Sequence, residues 1–191
     1  ELLKEKGGSE SMVEEMMKDI KRLETITDRF SKIGSQPKLK DENIVFLITH
    51  YVEYLKSRMP INTVFTLDLP SKDIKLSINR VLMAWVVENL VRNAVDSMKG
   101  KGEIKISMSE NPYNVILNIT DTGSGIDRSI IKNIFKPGVT SKKRGWGLGL
   151  SLSKRIVEEY HKGEIFVMQS EKGIGTTFTI KLPRSSTDTT S

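Results

Sequence analysis

The sequence predicts an α+β fold, a two-layer sandwich of one sheet and a layer of helices. Three observations carry that prediction. Five short segments have the alternation and β-branched content of strands. Three longer segments repeat their apolar residues at helical spacing. The strands come partly as consecutive hairpin partners rather than in strict alternation with helices, which favours a sandwich over a doubly wound parallel sheet.

In order, residues 10–36 come first. Met16, Ile20, Leu23, Thr27 and Phe30 follow a 4-3-4-3 spacing, the seam of a coiled coil or of a helical hairpin. A single amphipathic helix packed on its own domain is the alternative. The seam is closed by the break Gly34-Ser35-Gln36-Pro37. Residues 1–9, with Gly7-Gly8-Ser9, read as a linker or as engineered sequence. Asn43 to Arg58 reads as a helix with Ile44, Phe46, Leu47, Val52 and Leu55 as its apolar positions, and Thr63 to Leu69 as a strand. Ile78 to Met98 is the longest helix. Glu103–Ser109 and Tyr113–Asp121 form a hairpin about Asn111-Pro112, with Ile104, Ile106, Met108, Val115, Leu117 and Ile119 facing inward. Ile130 to Phe135 reads as a short helix, and Leu148 to Tyr160 as a helix begun directly from glycine. Gly163–Gln169 and Thr176–Leu182 supply the last two strands. The Ser/Thr-rich residues 184–191 read as a disordered tail.

Composition narrows the function. Among 191 residues, 30 are basic and 24 acidic, and the net charge of +6 favours anionic ligands such as nucleotide phosphates. The one tight basic run, Lys142-Lys143-Arg144, is too short to argue for nucleic acid. The absence of cysteine rules out disulfides and thiolate metal sites and suits a reducing cytoplasm. No apolar run approaches the roughly 20 residues that cross a bilayer. The chain starts at Glu1 without methionine, so it reads as a fragment, with any membrane attachment in its parent.

Three constellations carry chemistry. In the long helix, Val87, Leu90, Val91, Ala94, Val95 and Met98 share one side, while Asn89, Asn93 and Asp96 run down the other with Arg92 beside them. A solvated polar face is the plain reading. Asparagine suits it poorly, since its side chain competes for backbone hydrogen bonds. A neutral amide oxygen is instead a suitable hard ligand for Mg²⁺. The second constellation, Asp121-Thr122-Gly123-Ser124-Gly125, ends a strand. Asp121 can cap the turn, or accept a hydrogen bond from the exocyclic amine of a base, and the glycines let a ligand approach the backbone. The third runs from Thr140 to Leu150, where Lys142, Lys143 and Arg144 lead into Gly145, Gly147, Leu148 and Gly149 at a helix start. Free N–H groups and lysines there suit terminal phosphates, and the glycines suit a mobile lid. The run fits neither a Walker A loop nor a dinucleotide fingerprint. The two histidines, His50 and His161, read as structural or surface residues. Neither a serine triad nor a metalloprotease motif occurs.

E-N-L-V-R-N-A-V-D at 88–96, D-T-G-S-G at 121–125, I-F-K-P-G-V-T at 134–140, R-G-W-G-L-G-L at 144–150 and G-T-T-F-T-I-K-L-P at 175–183 occur in that order. Together they resemble the ATP-binding domain of sensor histidine kinases, in the GHKL superfamily shared with gyrase, MutL and the large heat-shock ATPase chaperone. The resemblance covers about residues 40–183. It implies a Bergerat-type fold, with a mixed sheet of about five strands and about three helices on one face, preceded by a helix of a dimerisation hairpin. It divides the chain into 10–36 as a partial dimerisation helix and 37–183 as the ATPase domain.

The same resemblance implies ATP and Mg²⁺ as ligands. Asn93, supported by Asn89, would ligate the metal, and Asp121 would read the adenine amine with Thr176 near the base. Gly123, Gly125, Gly147 and Gly149 would shape the pocket, with Ile126, Leu148 and Leu150 beside it. Thr140, Lys142, Lys143, Arg144 and Gly145 would form the lid, with Phe135 at its hinge and Arg92 and Asp96 at the rim. Glu88 is a candidate for a catalytic role. The implied function is donation of the γ-phosphoryl of ATP to a histidine outside this fragment. The implied partners are the kinase's own hairpin in a homodimer and a response regulator. An ATP-gated assembly ATPase of the same superfamily is the alternative. Trp146 departs from the small residue often found between such glycines.

Overall fold

The computed structural model describes Met17 and residues 37–140 and 146–184. The chain divides into two units, Glu1–Pro37 and Lys38–Ser191. Of the first only Met17, which is helical, and Pro37 are described, so the seam and the hairpin helix expected over 10–36 lie outside the described residues.

The second unit begins with β1 (Lys40–Asn43) and α1 (Ile44–Lys56). Asn43 ends the strand and starts the helix, its Oδ1 accepting from the N–H groups of Val45 at 3.1 Å and Phe46 at 3.3 Å. Then come β2 (Thr63–Asp68), β3 (Lys75–Ile78), α2 (Arg80–Ser97), β4 (Gly102–Glu110) and β5 (Asn114–Asp121). They are followed by α3 (Arg128–Ile131) and α4 (Gly149–Arg155), which continues as a π-helical turn over Ile156–Tyr160, and by β6 (Glu164–Glu171) and β7 (Gly175–Pro183).

The main sheet has five strands in the order β2-β4-β5-β7-β6. Only β2 and β4 run parallel, so the sheet is mixed, as the resemblance implies. Its inner face carries Ile104, Ile106, Val115, Leu117, Ile119, Phe178 and Ile180, all buried, and these meet the buried side of α2 from Met83 to Val95. The six residues read as facing inward from the hairpin do so. The periodicity of two in the strands and 3.6 in the helix therefore meets in one core.

Three features differ from the sequence reading. β1 and β3 form a separate antiparallel pair, with Lys40 opposite Ile78. Neither is visible in the sequence: Lys-Asp-Glu-Asn has low β propensity, and four residues of alternation in β3 are too few to register. The short helix starts earlier than expected because Asp127 caps it, its Oδ1 accepting from Ser129 N–H at 2.9 Å. It also ends earlier: Asn133 N–H donates to Ile130 O and Lys136 N–H to Asn133 O, three-residue turns in place of a continued α-helix. Finally, Arg184, read as the first residue of the tail, is tied down. Its N–H donates to Tyr113 O at 2.9 Å and its guanidinium to Glu110 at 2.7 Å.

His161, at the end of the π turn, is 3% exposed. Its Nε2 lies 3.0 Å from Asn79 N–H and its Nδ1 2.7 Å from Ile156 O. The first bond needs an accepting nitrogen, so the ring is neutral with its proton on Nδ1, donated to Ile156. Burial pushes its pKa below the ordinary value of 6.5, against the pull of the Ile156 carbonyl. The imidazole thus joins the end of the α4 segment to the start of α2. His50 is exposed on α1 and bonded to its own helix at Phe46 O. His161 is structural and His50 lies on the surface, within the structural or surface roles expected of them.

Candidate functional site: a buried carboxylate, an amide stripe and a glycine-started helix

α2 starts where Asn79 caps it, Oδ1 accepting from Leu82 N–H at 3.1 Å. With its apolar side fully buried, the opposite stripe is left for other work. Asn89 and Asn93 are half-buried on it, whereas Arg92 and Asp96 are exposed. The two amides are therefore partly covered. Asn89 Nδ2 donates to Ser153 Oγ of α4 at 2.9 Å, and Ser153 is itself buried. A Cβ added at Gly149 would run into Asn89 Oδ1, so only glycine lets the first turn of α4 lie against this amide. The structure thus brings Asn89 and the glycine-started helix together.

The floor of the site is made where β5 ends. Asp121 lies between Ile104 of β4 and Thr176 of β7 and is 4% exposed. Its Oδ1 accepts from Gly123 N–H at 2.8 Å and from Ser97 Oγ at 3.0 Å. Burial pushes its carboxyl above the usual aspartate value, and hydrogen bonds from Gly123, Ser97 and the Thr176 backbone pull it back. The turn reading of Asp121 therefore holds, and the carboxylate is also anchored from α2. Thr176 is buried and pairs with Ser170 Oγ at 2.9 Å, and Ser170 Oγ accepts from Ile126 N–H at 2.8 Å. Gly173 N–H donates to Ser124 O at 2.8 Å, closing the β6–β7 turn onto the glycine turn. Gly125 has φ +68°, and a Cβ added there would strike Glu171 O.

At the other end, the loop before α4 is gathered at its base. Gly138 N–H donates to Gly147 O at 3.1 Å, and Gly147, at φ +64°, leaves no room for a Cβ against Gly138 and Val139. Leu148 opens α4 with no side-chain cap, and Leu150 packs on the core from its first turn. Phe135 meets Phe178 edge-on at 6.4 Å and has Lys154 Nζ 5.7 Å above its ring. Thr140 and Trp146 are exposed, while Lys142, Lys143, Arg144 and Gly145 lie outside the described residues. Glu88 is held on both oxygens, by Arg92 Nε at 2.8 Å and Tyr51 Oη at 3.0 Å. It belongs to the α1–α2 contact as much as to the stripe.

Sequence reasoning missed the three serines that hold these groups, Ser97, Ser153 and Ser170. Ser97 lies one turn beyond Asn93, so the stripe's own spacing pointed to it. No local signal marks the others.

Residues 79–186 match the family described as histidine kinase-, DNA gyrase B-, and HSP90-like ATPases. The chain belongs to this family. The family is one of ATPase domains, and the relatives and structural neighbours of this chain are histidine kinases. It is 38% identical over 120 residues to the signal transduction histidine-protein kinase AtoS of Escherichia coli, covering 62% of this chain and 19% of that protein. It is 29% identical over 181 residues to sporulation kinase A of Bacillus subtilis, covering 93% of this chain and 30% of that protein. The chain thus spans less than a third of the length of these relatives. Among solved structures, the nucleotide-free catalytic domain of histidine kinase ThkA is 27% identical with a TM-score of 0.67, covering 77% of this chain and 96% of that one. ThkA in complex with the response regulator TrrA gives a TM-score of 0.70 at 25% identity, over 88% and 49%.

Proposed function

We propose that this chain is the ATP·Mg²⁺-binding catalytic part of a two-component sensor kinase, which donates the γ-phosphoryl of ATP to a histidine elsewhere in its kinase. The observation that carries the proposal is the meeting of Asn89 with Gly149, which sets an amide stripe beside a glycine-started helix in a domain whose sheet ends in a buried acid. In this reading Asp121 accepts from the adenine amine, and Thr176 and Ile126 border the base. Gly123 and Gly125 keep the floor open, and Gly147, Leu148, Gly149 and Leu150 offer backbone to the phosphates. Thr140, Lys142, Lys143, Arg144 and Gly145 close over the terminal phosphates, with Phe135 anchoring the hinge and Arg92 and Asp96 at the rim.

The donor set fits Mg²⁺. Asn89 and Asn93 bring neutral amide oxygens, and no group of three or more histidine, cysteine or carboxylate side chains gathers among the described residues. A cation held by one or two amides and otherwise by phosphate and water is what Mg²⁺ accepts, and it would neutralise charge on the transferred phosphoryl group. The chain's own part is positioning: Ser153 orients Asn89, and the core holds Phe135. Neither His50 nor His161 suits the acceptor role, since one bonds its own helix and the other is buried in two structural bonds.

Residues 37–183 form the ATPase domain in this reading and 10–36 the partial dimerisation helix of a homodimer. A response regulator receives the phosphoryl group, a partner supported by the TrrA complex of ThkA. No described helix is long and apolar enough to cross a membrane. In this reading the chain lies on the cytoplasmic side of its parent. The test is calorimetry with ATP and Mg²⁺. Asn93→Ala and Asp121→Ala each abolish binding if the assignment holds, and unchanged affinity in both refutes it. Adding the kinase's histidine-bearing helix then yields acid-labile, alkali-stable phosphate on that helix.

A further inference from the structure

Asp121 is buried, and a buried acid discriminates only as well as it is held. Two donors hold its Oδ1: the N–H of Gly123 at 2.8 Å and the hydroxyl of Ser97 at 3.0 Å. The first is a backbone group, fixed by the glycine turn. The second is the side-chain donor of the pair, and it comes from a different layer, the last turn of α2. Packing around this hydroxyl is tight. A Cβ added at Gly123 would strike Ser97 Oγ and come within 2.7 Å of Asp121 Oδ1, so residue 123 is glycine partly to make room for the serine.

We infer that Ser97 is a positioning residue that sets the selectivity of the nucleotide pocket for a base bearing an exocyclic amine. The inference rests on the reading of Asp121 given above. Its hydroxyl has one hydrogen and two acceptors in reach, Ala94 O at 2.8 Å and Asp121 Oδ1 at 3.0 Å. An ionised carboxylate is the stronger acceptor, so the hydrogen goes to Asp121 while the acid is charged. With Gly123 N–H and Ser97 Oγ both on Oδ1, the plane of the carboxyl is fixed and Oδ2 is turned away from these two donors. Oδ2, which takes neither bond, is the oxygen that accepts from the amine in this reading. Without the hydroxyl, Asp121 keeps its backbone bonds but loses its tether to α2 and part of what keeps it charged in a buried site. A protonated or rotated acid no longer accepts from the amine, yet a base that lacks the amine loses nothing by the change.

The experiment compares ATP with purine riboside triphosphate, which differs only in lacking the amine, by calorimetry on the intact chain. Ser97→Ala weakens ATP binding by about tenfold and the amine-free analogue by less than about twofold, the loss expected for one charge-assisted hydrogen bond. Ser97→Cys keeps the shape but donates weakly, and falls between. Equal weakening of both nucleotides, or an unchanged ratio in both variants, overturns the role of Ser97. If the wild-type chain binds the two nucleotides alike and Asp121→Asn is without effect, the reading of Asp121 falls and the inference with it. If Asp121→Asn abolishes the preference and neither Ser97 variant alters it, only the inference falls.

Discussion

The floor around Asp121 and the loop base at Gly138 and Gly147 both rest on glycines, yet they are built differently. At the floor polar groups hold one another: Asp121 Oδ1 accepts from Gly123 and Ser97, Thr176 pairs with Ser170, and Ser170 accepts from Ile126 N–H. The glycine turn is closed from outside by the β6–β7 turn. At the loop base one hydrogen bond joins Gly138 to Gly147, a Cβ on Gly138 would meet nothing within 4 Å, and Trp146 is 60% exposed. The floor is thus tied from sheet and helix at once, and in the proposed reading little ordering of Asp121 remains to be done on binding. At the loop base the two glycines are joined by a backbone bond alone.

Breaking the floor has the largest effect. Gly125 combines φ +68° with a position where an added Cβ would strike the backbone oxygen of Glu171. In Gly125→Ala the new methyl meets backbone rather than a movable side chain, and the residue must keep a left-handed conformation. Strain and overpacking together cost about 3 kcal/mol or more. Urea denaturation of the variant should show that loss with an unchanged dependence on denaturant. A loss below about 1 kcal/mol would mean that the two turns are not held together as the Gly173–Ser124 bond implies.

The corresponding change at the phosphate end separates stability from binding. In Gly149→Ala the added methyl meets the amide of Asn89, the far end of a side chain that can swing away. Swinging breaks the bond to Ser153 and costs about 1 kcal/mol. It also removes Asn89 from the position proposed for phosphate and metal support, so ATP affinity falls more than tenfold. Calorimetry beside a thermal melt reads both. A variant that melts several kcal/mol weaker while binding ATP normally would place Asn89 in the core of the fold and outside the site.

What the sequence revealed of these regions follows from how local each signal is. The polar stripe of α2 and the glycines of the floor were legible because helix period and turn chemistry fix where they point. The same holds for Leu148 to Tyr160, whose helix is present although its last five residues widen into a π turn. Ser97 continues the stripe, but its bond to Asp121, 24 residues away, was not legible, and Ser153 and Ser170 owe their roles to partners 64 and 44 residues away. The β1–β3 pair was hidden for the same reason. Its strands are too short and too charged to declare themselves, and they form because Asn43 joins them, capping α1 while accepting from Ile74 N–H.

The smallest expected effect concerns the joint between α2 and the end of α4, shared by both ends of the site. His161 must stay neutral for Nε2 to accept from Asn79 N–H, and burial lowers its pKa in the folded state below the ordinary 6.5. The unfolded chain therefore binds the proton first as pH falls. Between 6.5 and the lowered folded value the unfolded state carries more protons, so stability rises with pH there and is lost as pH drops through the folded pKa. Above 6.5 the histidine contribution is complete and flat. Denaturation midpoints between pH 5 and 7, corrected against His161→Phe, isolate this slope. The variant is less stable throughout, since Asn79 N–H loses its acceptor, but its curve lacks the histidine component. If wild type and variant run parallel across that range, the imidazole is not the joint between the two helices, and floor and loop base are coupled only through the sheet.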